Sequence, residues 1–276
     1  TFTVHRAAVS PRCELLRHSV PPRNRYPRWH GRRIRRLRRH RPLALRLAHW
    51  RDGGGFGPRG EAVLRALVAV RANVLISGST GSGKTTLLAA MLAEAPASER
   101  LVCIEETREL APDHPHVVHL QARAANVQGA GAVYLPQLVR AAMRMRPDRL
   151  VLGECRGSEV REVLMALNTG HDGGMATVHA NAATDVPARL VALGSLAGLS
   201  AETVAAQAVS AFDALIHVVR GPGYRVVTQI AVLDREGGAL VARLAMQRPG
   251  VTSSGGRGDL EPGPAWETLA RRLEQG

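Results

Sequence analysis

The stretch ISGSTGSGKTTLL, residues 76–88, limits the fold of this chain more than any other feature. Gly78 to Thr85 reads Gly, four residues, Gly-Lys-Thr, the pattern of a loop whose backbone N–H groups curl around a phosphate. The flanks give that match its weight. NVLISG (73–78) is a short apolar run that reads as a strand, and KTTLLAAMLAEA (84–95) reads as a helix. Strand, glycine turn and helix in that order place the positive end of a helix under an anion. Lys84 is the single lysine among 37 basic residues. A slender ammonium reaches between phosphate oxygens where a forked guanidinium fits poorly, so a lysine kept at this one place is expected to serve the β- and γ-phosphates. The expected nucleotide-binding residues are Gly78, Ser79, Thr80, Gly81, Ser82, Gly83, Lys84, Thr85 and Thr86, and the Thr85 hydroxyl is expected to reach Mg2+.

Regular patterning extends away from this loop. EAVLRALVAVR (61–71) has helical spacing, and LVCI (101–104) and RLVLGE (149–154) read as strands ending on acids. Segments 135–146, 158–168, 184–196 and 200–211 read as helices, 175–178 as a strand. Strands over 214–220 and 224–234, separated by a Gly-Pro-Gly turn, and a third over 239–245 complete the pattern. Strands alternating with helices imply an α/β class, a central sheet flanked by helices with polar groups gathered at strand ends. The expected divisions are an arginine-rich segment and Gly-rich linker over 1–60, poorly ordered; a P-loop ATPase domain over 61–246; and a Gly/Pro-rich linker with a short terminal helix over 247–276.

The formal net charge of +14 is uneven. Residues 1–50 hold 14 arginines and one acid, Glu14, whereas residues 51–276 hold 23 basic and 22 acidic residues. The high pI therefore says little about the folded core, for which nucleic-acid binding is not expected. Cys13, Cys103 and Cys155 form no spaced ligand set and no even disulfide framework, which fits a reducing, cytosolic setting. No apolar run reaches membrane-spanning length; VLRALVAVRANVLI (63–76) is broken by Arg65 and Arg71.

Hydrolysis needs more than a phosphate loop: an acid to orient metal or water, and charge on the transferring group. Glu105, with Glu106 beside it, and Glu154 end strands; Glu154 is a candidate metal or water ligand, Glu105 a candidate base. His179, in TVHAN, follows a strand that would end near the nucleotide. Arg140 and Arg144 lie one helical turn apart, with Arg146, Arg108 and Arg123 nearby, and any of these could neutralise phosphate or pair with carboxylates.

The segments LISGSTGSGKTTLL, CIEETREL, LVRAAMRMRPDRLVLGECRGSE, MALNTGHDGGMATVHAN and VTQIAVLD together resemble the secretion-superfamily ATPases of type II and type IV systems, most of all the tight-adherence (Flp-type) pilus branch, the CpaF-like proteins. The resemblance runs over about residues 61–235. It implies a RecA-like P-loop fold, ATP and Mg2+ as cofactors, and a cytoplasmic homo-hexamer that couples ATP hydrolysis to an inner-membrane secretion or pilus platform by peripheral contact. By the same resemblance Lys84 and Thr85 belong to the Walker A motif, Glu105 to the acidic Asp box, Glu154 to Walker B and His179 to the histidine box, with Arg144 in the arginine-bearing segment. A conjugation or DNA-transfer type IV ATPase, or a nucleotide-binding subunit with impaired turnover, is the alternative. Two departures stand out. Glu106 replaces the family's usual Asp, and the N-terminal domain expected before the core is missing or abnormal. In its place stand about 60 residues of a composition that a shifted reading frame in GC-rich DNA can produce.

Overall fold

The computed structural model describes residues 46–221, 224–250 and 258–274. Most of the arginine-rich segment, the Pro222–Gly223 part of the expected turn and 251–257 of the expected C-terminal linker lie outside the described residues. Among the described residues the strands are β1 (Val74–Gly78), β2 (Leu101–Glu105), β3 (Val117–Gln121), β4 (Arg149–Cys155), β5 (Met175–His179), β6 (Ala214–Gly221), β7 (Tyr224–Glu236), β8 (Ala239–Gln247) and β9 (Glu261–Pro262). The α-helices are α1 (Leu47–Asp52), α2 (Pro58–Ala69), α3 (Lys84–Leu92), α4 (Leu135–Met143), α5 (Val160–Leu167), α6 (Val186–Leu196), α7 (Ala201–Ala211) and α8 (Trp266–Glu274).

One sheet takes all these strands in the order β3-β2-β4-β5-β1-β6-β7-β8-β9. The first six in that order run parallel, and β7, β8 and β9 continue as an antiparallel meander. Both faces of the parallel part are covered, which is why its strands read as unbroken apolar runs. Val74 and Ile76 of β1 pack with α1, α2, α3 and α8, while Leu75 packs with α4, α5, α6 and α7. The same alternation holds in β2, where Leu101 and Cys103 face one cluster and Val102 and Ile104 the other.

Residues 51–60 are not the flexible linker that their glycines imply. Trp50 and Phe56 are buried and their rings stack, centroids 6.3 Å apart and 3° from parallel. The Val227 N–H donates to the Gly55 carbonyl at 2.9 Å, and Pro58 opens α2 with a missing N–H that a helix start does not need. Two aromatic side chains thus override the local composition by burial. Strand β3 was masked in the sequence by three neighbouring histidines, His114, His116 and His119, and it is only half-buried at the sheet edge.

The expected C-terminal linker also has a defined part. The Asp259 carboxylate accepts from the backbone N–H groups of Gly57 (3.0 Å), Arg59 (2.7 Å) and Gly60 (3.1 Å), capping α2 from about 200 residues away. Burial pushes this carboxyl up, but the N–H donors of Arg59, Leu260, Gly60 and Gly57 outweigh it and hold it below its ordinary value. A carboxyl depressed in the folded state stabilises above its unfolded pKa, and that stability is lost as pH falls through the folded one. Asp259→Ala is expected to lose about 1–2 kcal/mol by urea unfolding at neutral pH. The gap between variant and wild type is expected to shrink below about pH 4; an equal gap at all pH values would contradict the cap.

Candidate functional site

The phosphate loop starts where β1 ends. A Cβ on Gly78 would lie 2.4 Å from the Val218 carbonyl oxygen, so only glycine lets β6 pass this close. Gly83 caps α3 in the left-handed region, φ 103°, which turns the loop back over the helix end. No acid stands in the first turn of α3 and no side chain caps it, so its terminal N–H groups are left for an anion. The buried Ser82 hydroxyl has no hydrogen-bond partner among the described residues, and Ser79, Thr80 and Gly81 are exposed. Lys84 is 7% exposed, and its Nζ donates to the Gly78 carbonyl (3.0 Å), the Ser79 carbonyl (3.1 Å) and His179 Nδ1 (3.2 Å). Burial lowers the Lys84 ammonium pKa below its ordinary value.

Strand order then lines up the other candidates. β5 lies beside β1, β4 beside β5 and β2 beside β4, so His179, Glu154 and Glu105 end successive strands moving away from the loop. Gly78 and His179 are register partners. The His179 ring lies between two charges: Nδ1 accepts from Lys84, and Nε2 lies against a Glu154 carboxylate oxygen. An ammonium can only donate, so Nδ1 is the accepting nitrogen and the proton of the neutral ring sits on Nε2. Burial first, and the Lys84 charge second, lower the His179 pKa against the opposing pull of Glu154, which keeps the ring neutral.

Glu154 is aimed by a β-bulge. Leu152 pairs with Ala176 but Cys155 pairs with Val178, so β4 carries one extra residue across Gly153–Glu154. The Thr177 hydroxyl donates to the Gly153 carbonyl at 2.6 Å and satisfies the disrupted ladder. Glu154 also accepts from Arg156 Nη2 at 2.6 Å, and Arg156 Nη1 lies 3.5 Å from Glu106. Arg156 was not singled out in the sequence; its only signal was its place two residues after a strand-ending acid.

Glu105 has another occupation. It is 5% exposed, and its Oε1 accepts from the backbone N–H groups of Glu109 (2.9 Å) and Leu110 (2.8 Å), so it clamps the loop after β2. It still borders a cleft with Thr85, Glu106, Glu109, Glu154 and Arg156. Among the described residues no three His, Cys, Asp or Glu side chains form a metal-binding group, and the Thr85 hydroxyl and Glu154 carboxylate, the expected metal-holding pair, line this same cleft.

Arg144 is not brought to these residues. It caps the C-terminal end of α4, which leads into the start of β4 at Arg149, whereas Glu154 lies near that strand's end. A strand length of roughly 20 Å therefore separates them. Arg140 pairs with Glu162 at 2.6 Å, and Arg123 Nε donates to the Gly131 carbonyl at 2.8 Å. On the other flank of the loop, His49, Trp50, Gly53, Thr86, Arg220, Tyr224 and Arg225 line a second cavity. Its walls come from α1 and the β6–β7 hairpin, and no motif in the sequence marks them.

A family model described as "Type II/IV secretion system protein" matches residues 23–221. A putative conjugal transfer protein of Mycobacterium tuberculosis (strain H37Rv) is 50% identical over 207 residues, 75% of this chain and 59% of that protein. Protein VirB11 of Agrobacterium tumefaciens (strain 15955) is 39% identical over 152 residues, 55% of this chain and 43% of that protein. The crystal structure of the VirB11 ATPase from the Brucella suis type IV secretion system, in complex with sulphate, matches with a TM-score of 0.55 at 28% identity. That match covers 70% of this chain and 59% of the other, and it bears out the RecA-like α/β fold. The chain spans 59% of the length of the Mycobacterium relative.

The Lys84–His179 contact has a direct readout. The His179 ring is expected to titrate below the ordinary value of about 6.5, and Lys84→Ala is expected to move it upward by relieving both burial and a neighbouring cation. NMR titration of the ring carbons measures this, and an unmoved pKa would break the contact.

Proposed function

This chain belongs to the type II/IV secretion system protein family, and from that premise we propose that it is an ATP-hydrolysing motor subunit of a secretion machine. The observation that carries the reading is the line Lys84–His179–Glu154: Lys84 opens α3 after the loop that leaves β1, and His179 and Glu154 stand at the ends of the next two strands, β5 and β4. ATP with Mg2+ supplies the phosphoryl group and the charge that bridges its oxygens. The loop N–H groups and Lys84 bind phosphate, Lys84 exchanging the Gly78 and Ser79 carbonyls for phosphate oxygens. Thr85 and Glu154 hold the metal and its water shell. Neutral His179 stands between lysine and acid, where it can donate a hydrogen bond to the terminal phosphate or the attacking water. The cavity at Trp50, Tyr224 and Arg225 offers flat faces and a guanidinium to the nucleotide base. Glu105 acts as the clamp of its loop and not as the base.

One relative named above is a putative conjugal transfer protein and the solved structure is a VirB11 ATPase of a type IV secretion system, which favours a type IV, conjugation-type machine over the tight-adherence pilus branch that the sequence motifs resemble. Neighbouring relaxase and coupling-protein genes would support the first reading, pilin and platform genes the second. Assembly as a homo-hexamer fits the open acidic cleft, because among the described residues Arg156 is the one arginine lining it and a neighbouring protomer could add charge and exclude water. No single helix among the described residues is long and apolar enough to cross a membrane. Cytoplasmic placement with peripheral docking on an inner-membrane platform completes the proposal.

ATPase assays across protein concentration test it. Turnover is expected to rise with assembly, and Lys84→Ala and Glu154→Gln are each expected to lower kcat by roughly 100-fold or more. Glu105→Gln, whose amide oxygen still accepts both N–H groups, is expected to stay within about threefold of wild type. Wild-type protein that binds ATP without turnover at any concentration would overturn the motor reading, and a dead Glu105→Gln variant would return Glu105 to the role of base.

A further inference from the structure

Directly behind the phosphate loop lies a second histidine that the site described above does not use. His217 is 3% exposed on β6, and Ser77, one residue before Gly78, is fully buried opposite it on β1. Ser77 and His217 are the last register pair between these strands; beyond them β1 turns into the loop and β6 bulges between His217 and Val218. At that point of divergence the two side chains meet, Ser77 Oγ to His217 Nδ1, at 2.9 Å. The same ring lines one cavity with Asn181, two residues after His179, and approaches its backbone. Burial lowers the His217 pKa, against smaller raising effects of Asn181 and Asp185, so the ring is neutral and can accept on one nitrogen while donating on the other. On its far side the Thr228 hydroxyl donates to the His217 carbonyl at 3.4 Å, and Gln229 holds the Ala183 N–H at 3.2 Å. One imidazole therefore bonds the strand that launches the glycine-rich loop and faces the loop that follows His179.

We propose that His217 is a positioning residue: through Ser77 and Asn181 it sets the spacing between the phosphate loop and the His179 loop, and so the place of His179 against the terminal phosphate. This rests on the ATPase reading. A strand pair held only by its ladder would need no side-chain bond where the ladder ends, and a merely packed position here would be served by the valine or isoleucine found along the rest of β6. A buried polar pair at this point specifies one geometry.

The test uses His217→Ala, Ser77→Ala, the double variant, and His217→Asn, whose amide stands where Nδ1 did. His217→Ala is expected to lower kcat roughly tenfold while the KM for ATP and the affinity for ADP stay within about twofold. The double variant is expected to be no worse than His217→Ala, since that variant already removes the bond that Ser77→Ala would break. His217→Asn, which keeps the Ser77 contact but not the reach to Asn181, is expected to recover only part of the loss. In nucleotide-free protein, His217→Ala is expected to move the His179 titration upward as the Lys84 contact loosens. Wild-type kcat in His217→Ala, multiplying losses in the double variant, or loss of kcat only in step with melting temperature and with His179 unmoved would each overturn the proposal. If the wild type itself shows no turnover, the hydrolysis reading fails, and amide hydrogen exchange decides the rest: faster exchange confined to the loops after Gly78 and His179 in His217→Ala supports positioning, and unchanged exchange there overturns it.

Discussion

Strand β1 is the constraint on which the rest of the molecule depends. It is paired on both edges, with β5 and β6, and buried on both faces, so its C-terminal end cannot shift without moving the core. The loop that leaves it is pressed against β6 at Val218, tolerable only because residue 78 is glycine. Lys84 inherits this rigidity. Its ammonium is confined by two carbonyls of its own loop and by the ring that ends the neighbouring strand. A preorganised cation of this kind costs little reorganisation when a phosphate takes the place of the carbonyls.

The two ends of the sheet are built differently. At the N-terminal edge, Arg149 is 1% exposed; it pairs with Glu99 and donates to the Val68 carbonyl at 2.9 Å, while Arg71 reaches Glu99 at 3.2 Å. Breaking a buried pair like this is typically worth several kcal/mol, so this edge is stapled. The C-terminal edge instead holds groups whose partners are exchangeable: a lysine on loop carbonyls, a neutral imidazole, and the half-exposed Arg156 leaning on Glu154 and Glu106. Stability sits at one edge and chemistry at the other, as expected for parallel sheets that bind ligands beyond their strand ends.

Much of this was legible in the chain. The match at 78–85 located a glycine-rich loop between an apolar strand and a helix, because local geometry there is dictated by glycine conformation. Acids and a histidine at strand ends marked Glu154 and His179 for the same local reason. Glu105 carried the same mark, yet the fold spends its oxygen on two backbone N–H groups, which a one-dimensional pattern cannot show. The remote cap from Asp259 and the second cavity at the β6–β7 hairpin were illegible because each joins segments far apart in the chain, and the stack of Trp50 on Phe56 was hidden by the glycines between them.

By itself, then, the sequence determined which residues can do chemistry here: a lone lysine in a glycine turn, strand-ending acids, a histidine after a strand. These follow from residue type and short-range periodicity. Tertiary structure alone decided which of them meet. Inserting β5 and β4 between β1 and β2 sets His179 beside the loop, Glu154 next and Glu105 outermost, and it leaves Arg144 at the opposite edge. The physical reason is that parallel strand order is set by long-range packing of helices on both faces, while the one-residue bulge at Gly153–Glu154 is set by pairing with β5. Neither leaves a trace in any short window of sequence.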